Sequence, residues 1–240
     1  MTFTREHHRV IAVALGCLDA AMLREARCYF AGGTALAMRF GEYRESVDID
    51  FIVADDDSYR TLRTACRGPQ GFTALTVPGQ RVVEAAPLRI DQYGIRTRLS
   101  VAGVPVKFEI IREGRITLES PGPGDDVLGI ATATVTDLLA TKLLANADRW
   151  ADPTVFSRDI IDLAMIRPDG PRLTHALGKA TTAYGPAVVE DAQSAISMLL
   201  DRDYVIDRCR QALGMSDPRA VLVDRLRRLS TALARAAAAP

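Results

Sequence analysis

The fold class predicted by the sequence is α+β: a mixed sheet flanked by helices, followed by a C-terminal helical bundle. Three observations predict it. β-branched and aromatic residues, punctuated by Gly and Pro, gather between Phe72 and Ile111. Apolar residues recur at helical spacing from Thr136 onward. Between them in character, residues 28–53 carry a short apolar run, two glycines, a helical stretch and an alternating run. The 240 residues, 48% of them hydrophobic, suffice for a real core and are too apolar for a disordered chain.

Taken in order, Arg5–Arg24 has helical spacing, with Val10, Ala14, Cys17, Leu18 and Ala21 on one face. Cys28–Ala31, bounded by Gly32-Gly33, reads as a short buried strand. Thr34–Phe40 reads as a helix with Thr34 as its N-cap. Val47–Val53 alternates so that Asp48 and Asp50 share one face of a strand. Asp57–Cys66 reads as a helix. FTALTV, RVVEA, PLRIDQ, IRTRLSV and VPVKFEII read as a meander, with Val104–Ile111 its clearest strand. The Pro/Gly/Asp stretch Ser120–Asp126 closes this half, placing a boundary between a core of residues 1–126 and a helical region of residues 127–240 packing on it. Helices are expected at Thr136–Trp150, Phe156–Ile166, Arg172–Ala183, Pro186–Leu200, Asp203–Leu213 and Asp217–Ala236.

Composition narrows the chemistry. Thirty basic residues balance thirty acidic ones, which argues against a polybasic nucleic-acid binder but permits a local basic groove. Charges at Arg5 and Glu6 interrupt any secretory signal, and no run approaches the roughly 18 apolar residues of a membrane helix, so a soluble cytoplasmic protein is expected. Cys17, Cys28, Cys66 and Cys209 lie too far apart for a metal ribbon and read as buried free thiols. Only His7, His8 and His175 exist, which weakens zinc-enzyme and Ser-His-Asp readings.

The chemistry concentrates in AGGTALAMRFGEYRESVDIDF. Gly32-Gly33-Thr34 at a helix start could cradle a phosphate on free N–H groups, with the Thr34 hydroxyl as a further donor. Asp48 and Asp50, one residue apart on a strand, are costly neighbours unless a cation lies between them; oxygen ligands suit Mg²⁺ or Mn²⁺. Glu109 on a later strand could complete the set as a weaker third ligand. Each piece alone is ordinary: a Gly-Gly is usually a turn, and a D-x-D is often a solvated face. Their order over one strand–turn–helix–strand unit is far more specific, and such a site serves phosphoryl or nucleotidyl transfer.

This pattern resembles the core motif of the polymerase-beta superfamily of nucleotidyltransferases. The longer string is similar to the AbiEii/AbiGii toxin family, in which Gly-Gly-Thr-Ala-Leu, an Arg, and Arg-x-Ser-x-Asp-Ile-Asp-Phe recur. Those positions here are Gly32, Gly33, Thr34, Ala35, Leu36, Arg39, Arg44, Ser46, Asp48, Ile49, Asp50 and Phe51. Glu42-Tyr43 stands where the family often has a single His. Downstream, DLLATKLLANADRW and SRDIIDLAMI resemble the family's Lys-bearing and Arg-Asp-x-x-Asp helices, through Asp137, Lys142, Arg149, Arg158, Asp159 and Asp162. The resemblance, which extends to the mycobacterial MenT toxins, implies a nucleotidyltransferase core, a Mg²⁺-dependent transfer of NMP from NTP, the tRNA 3′ end as acceptor, and a separately encoded antitoxin as partner. It implies that Gly32, Gly33, Thr34, Arg39 and Ser46 bind nucleotide. Lys142 would contact the triphosphate, and Asp159 would help position or activate the attacking hydroxyl. The chain has only three lysines, Lys107, Lys142 and Lys179, so one at this position stands out.

Two alternatives remain open in the sequence. The acceptor could be a protein hydroxyl or a small molecule such as an aminoglycoside. The fold could also be retained as a non-catalytic binding module, against which the intact Asp48/Asp50 pair speaks. Within Asp201–Pro240, eight arginines face five aspartates; Arg219, Arg225, Arg227, Arg228 and Arg235 share the last helix, as a solvated face or as a phosphate-contact surface.

Overall fold

The computed structural model describes residues 2–80 and 82–238. The chain divides into two compact units. One holds the residues up to Glu42 and Ser46–Thr134; the other holds Tyr43–Glu45 and the chain from Val135 on. The boundary falls at Thr134/Val135 rather than at 126/127. The Pro/Gly stretch does not end the first unit, because the chain returns to it: the Ala133 N–H donates to the Phe30 carbonyl, and Thr132 bridges to Phe30.

The first unit opens with α1 (Glu6–Gly16) and α2 (Ala20–Glu25), where one helix was expected. The break lies at Gly16–Asp19. Leu18 is drawn into a bridge with Thr76, and Asp19 starts the second helix by accepting from the Met22 N–H. β1 (Tyr29–Ala31), α3 (Gly32–Arg39) and β2 (Ile49–Val53) follow, then α4 (Asp56–Arg67), capped by Asp55. FTALTV is not a strand. Gly71–Leu75 forms a short 3-10 helix that buries Phe72 and Leu75, three residues apart, on one side. β3 (Val83–Glu84) and β4 (Arg89–Ile90) are short; β5 (Gly94–Val101) and β6 (Val104–Arg112) form a long hairpin, and β7 (Asp126–Val127) pairs with β8 (Ile130–Ala131).

The main sheet has the order β1-β2-β6-β5-β3, with β4 also on β5. It is mixed: β2 and β6 are parallel, and the other pairs are antiparallel. One face is core. Phe30, Phe51 and Phe108, from three adjacent strands, have ring centroids 5.5 and 5.7 Å apart, and Phe72 meets Phe108 edge-on at 4.9 Å. Each such pair adds about 1 kcal/mol beyond area burial. Strand alternation sends the neighbouring residues to the other face, which carries Asp50, Lys107, Glu109, Arg96 and Arg98.

Glu42, at the position where the sequence departs from the family pattern, holds the N-terminal segment. Its carboxylate accepts from the Thr4 N–H and hydroxyl and the Arg5 N–H, and lies 2.8 Å from His8 Nδ1. Burial alone would raise its pKa; these donors overcome that and lower it to about 2.

The second unit is helical. It comprises α5 (Val135–Arg149), a 3-10 turn at Pro153–Val155, α6 (Arg158–Ile166), α7 (Gly170–Tyr184), α8 (Ala187–Leu200), α9 (Asp203–Ala212) and α10 (Arg219–Ala237). All six expected helices are present, with ends moved by a few residues. In α10 the buried Leu222, Leu226, Leu229 and Leu233 recur at helical spacing along one stripe. All four cysteines are free, and Cys28, Cys66 and Cys209 are buried. No helix among the described residues is long and apolar enough to cross a membrane.

Candidate functional site

In the first unit the candidate residues gather about the start of β2. Gly32 has φ +71°, and a Cβ there would lie 2.5 Å from Asp50 Oδ2. The open side of this glycine is thus filled by the Asp50 carboxylate, which sits against the N-terminus of α3, a favourable place for negative charge. Gly32→Ala should cost about 1–2 kcal/mol of backbone strain and displace Asp50. Transfer activity should therefore fall much more than thermal stability, and equal, small losses would contradict this placement.

Thr34 is fully buried, inside α3 rather than at its cap, because the helix begins two residues earlier, after Ala31. Its hydroxyl donates to the Asp48 carbonyl at 2.6 Å and lies 2.8 Å from the Ser46 hydroxyl. Thr34 and Ser46 therefore fix the backbone just before β2, so that Asp48 and Asp50 are presented from a held chain. The Thr34 hydroxyl is thus turned inward, while Ser46 is part-exposed.

Glu109 stands opposite Asp50 in the parallel β2–β6 register, on the same face. Its two oxygens are engaged, however: Lys107 Nζ lies 2.6 Å from one and Arg96 Nε 3.2 Å from the other. Among the described residues, no three acidic, His or Cys side chains are gathered closely enough to hold a metal together. Carboxylates such as Asp48 and Asp50 are the donor type that a hard divalent cation takes, and Glu109 is paired with Lys107 and Arg96.

The second unit brings Tyr43, Arg44, Lys142, Arg149, Asp159 and Asp162 into one buried chain of charges. Arg44 grips Asp162 with two bonds, Nε to Oδ1 at 2.6 Å and Nη2 to Oδ2 at 2.9 Å, and the Tyr43 hydroxyl donates to the same carboxylate at 2.7 Å. Lys142 Nζ bridges the two aspartates, 2.7 Å from Asp162 and 2.8 Å from Asp159. Arg149 completes the chain with Nε 2.7 Å from Asp159. Asp159 and Asp162 meet these partners because α6 places them three residues apart on one face. Burial pushes both carboxyls up, but Lys142 and Arg149 on Asp159, and Arg44 and Lys142 on Asp162, outweigh it and hold both below the usual carboxylate range. Three cations serve two carboxylates. Arg149 is the open end, with its side chain 35% exposed.

A pH dependence follows. Glu42, Asp159 and Asp162 are all lowered in the folded chain, so unfolding takes up protons in acid. Their contribution is complete above the unfolded carboxylate values of about 4. It is lost as the pH falls through the folded ones. Denaturation midpoints should stay level from about pH 7 to about pH 5 and fall steeply below about pH 4. A decline already under way at about pH 6 would contradict this.

A family model described as the nucleotidyl transferase AbiEii toxin of type IV toxin–antitoxin systems matches residues 17–232. The chain belongs to the AbiEii family. It is thereby a nucleotidyltransferase of a toxin–antitoxin class, for which an NTP substrate and an antitoxin partner are implied. Among solved structures, the AbiEii chain is similar to JHP933 from Helicobacter pylori, at 16% identity and TM-score 0.53, covering 98% of this chain and 96% of that one. A candidate nucleotidyltransferase of H. pylori is similar at 16% identity and TM-score 0.50, with 95% of each chain covered. These likenesses show the fold. No curated protein matches the sequence.

Some AbiEii motif positions have structural duties. Arg39 donates to Thr132 Oγ1, Asp125 Oδ1 and the carbonyls of Ala133 and Gly124, tying α3 to the β7–β8 segment, and its side chain is only 11% exposed. The guanidinium expected to contact nucleotide thus has both its terminal nitrogens engaged within the first unit. The arginines of α10 are also partly neutralised: Arg219 pairs with Asp203 and Asp207, Arg228 with Asp224, and Arg225 donates to the Met165 carbonyl. Arg225, Arg228 and Arg167 line a groove of about 410 Å³. A cavity of about 370 Å³ lined by Arg27, Tyr29, Asp55, Glu113 and Arg115 lies at the far end of β2 from Asp48, and no expected site residue lines it. The role of Arg44 as holder of Asp162 was not legible, since 118 residues separate the pair. The ion pairs of Glu109 had a signal: Arg96, Arg98, Lys107 and Glu109 alternate on two runs joined by Ala102-Gly103.

Proposed function

We propose that this chain transfers NMP from an NTP to an RNA acceptor, with the tRNA 3′ end the acceptor implied by its family. What supports the reading is that Asp48, just before β2, and Asp50, within it, lie on a segment held by Thr34, Ser46 and Gly32. Asp48 and Asp50 would hold Mg²⁺, which when bound neutralises phosphate charge and favours ionisation of the attacking hydroxyl. The residues of the chain do the rest. The two carboxylates would fix the place of the cation that receives the donor phosphate, and the α3 N-terminus offers backbone N–H groups.

Lys142 is proposed as a phosphate partner. Two of its three ammonium hydrogens are taken by Asp159 and Asp162, which leaves one donor on a cation whose position is set on both sides. Asp159 then acts by holding Lys142 and Arg149, a different task from the activation of a hydroxyl.

The test is incubation with each labelled NTP, Mg²⁺ and total RNA, beside Asp48→Ala. Label should enter RNA with wild type and not with the variant. Label on protein with none on RNA would instead favour a protein-hydroxyl acceptor, and no transfer to any acceptor by folded protein would favour a binding module.

A further inference from the structure

The open face of the sheet beside Asp50 carries cations in rows. Register puts Ala31, Asp50, Glu109, Arg96 and Arg89 in one line across β1, β2, β6, β5 and β4. The adjacent row places Arg98 opposite Lys107. Two directly opposed pairs, Arg98 with Lys107 and Arg89 with Arg96, are therefore like-charged. Such pairs repel, and a sheet without a use for them would avoid both. Internal anions answer only half of this. Glu109 serves Lys107 and Arg96, and Asp91 serves Arg96. Arg89 and Arg98, both exposed, have no acidic partner among the described residues. With strands about 4.8 Å apart, Arg96 lies about 10 Å and Arg89 about 14 Å from Asp50 across the sheet. The positive charge is thus a strip leading away from the aspartates.

We propose that this strip is the acceptor track: Arg89 and Arg98, steadied by Arg96 and Lys107, bind successive phosphates of a single-stranded RNA end and lead its terminal hydroxyl to Asp48 and Asp50. This rests on the nucleotidyl-transfer reading and deepens it by naming the acceptor's binding surface. A strip suits a chain of phosphates better than one triphosphate, which needs a point. Exposed Tyr93, in the turn between β4 and β5, offers a ring for a base to stack on, which a protein partner would not require. Lys107 and Arg96 are also the residues that occupy Glu109, so one carboxylate orders the cations nearest the aspartates.

The experiment measures binding of a fluorescent single-stranded RNA to the full chain by anisotropy over a KCl series. The proteins are wild type, Arg89→Gln/Arg98→Gln, and Arg167→Gln/Arg227→Gln as a control in the other unit. The first variant should bind at least about tenfold more weakly, and its log–log salt slope should be shallower by about 1.4, two contacts at about 0.7 each. The control should bind as wild type does. Unchanged affinity and slope in the first variant, loss in the control alone, or no binding by wild type would overturn the track. Displacement of the RNA by poly-glutamate of equal charge with equal potency would also overturn it, assigning the strip to an acidic protein. Transfer of label from NTP to RNA, assayed on the same samples, separates the two claims. RNA binding lost in the first variant while wild type transfers nothing to RNA rejects the acceptor reading and keeps the RNA surface. Intact binding and transfer in that variant do the reverse.

Discussion

Asp162→Ala should destabilise the folded chain by about 3–5 kcal/mol, because it strands charges that water cannot reach. Asp162 is fully buried and receives Arg44, Lys142 and Tyr43 together. Without it, Lys142 and Arg149 share Asp159 alone, and Arg44, itself 3% exposed, keeps only the Glu45 carbonyl of its present hydrogen-bond partners. The intact network is not itself a large stabiliser, since bringing these ions out of water costs nearly what their attraction returns. Arg44→Met/Asp162→Leu should therefore be milder than Asp162→Ala, although it removes more polar groups. Denaturant unfolding of the three proteins checks the order. A loss below about 1 kcal/mol for Asp162→Ala would show that the cluster is solvated rather than buried.

Asp48→Ala and Asp50→Ala should each lower nucleotidyl transfer by about 10³-fold or more, equivalent to about 4 kcal/mol of transition-state stabilisation. Stability should hardly change, and removing a crowded carboxylate can raise it slightly. The two variants should differ in detail. Asp50 lies against Gly32 and beside Glu109, so its loss also leaves a gap at the α3 start; Asp48 is anchored by its backbone carbonyl, which Ala retains. A variant that folds as wild type and retains most of its activity would place the chemistry elsewhere.

The candidate site was legible where spacing is local. β6, the clearest strand in the sequence, carries Glu109 in register with Asp50; the strand expected over Val47–Val53 begins only at Ile49, so Asp48 lies just before it rather than on it. The task of Thr34 was not legible. A Thr after Gly-Gly suits a helix cap, but the positive φ of Gly32 starts the helix earlier and turns the hydroxyl inward to Asp48. The strip of cations could have been counted from the sequence. Ala102-Gly103, with φ 49° and 81°, is a two-residue hairpin turn, and pairing outward from Val101 and Val104 sets Arg98 against Lys107 and Arg96 against Glu109. No local pattern joins Arg44 to Asp162 or Arg39 to Asp125; those pairs exist only once the chain has folded. Composition misread FTALTV, because β-propensity describes a half-buried pleated surface, whereas Phe72 and Leu75 reach the core from a 3-10 turn.

The central claim is transfer of a nucleotidyl group at Asp48 and Asp50. It is tested most directly by offering the protein NTP labelled at the α-phosphate or, separately, at the γ-phosphate, with Mg²⁺ and RNA. The account predicts α-label retained on the RNA and γ-label released as pyrophosphate, with both events lost in Asp50→Ala. Retention of the γ-label on any acceptor would mean phosphoryl transfer instead, and α-label transfer that persists in Asp50→Ala would contradict the site.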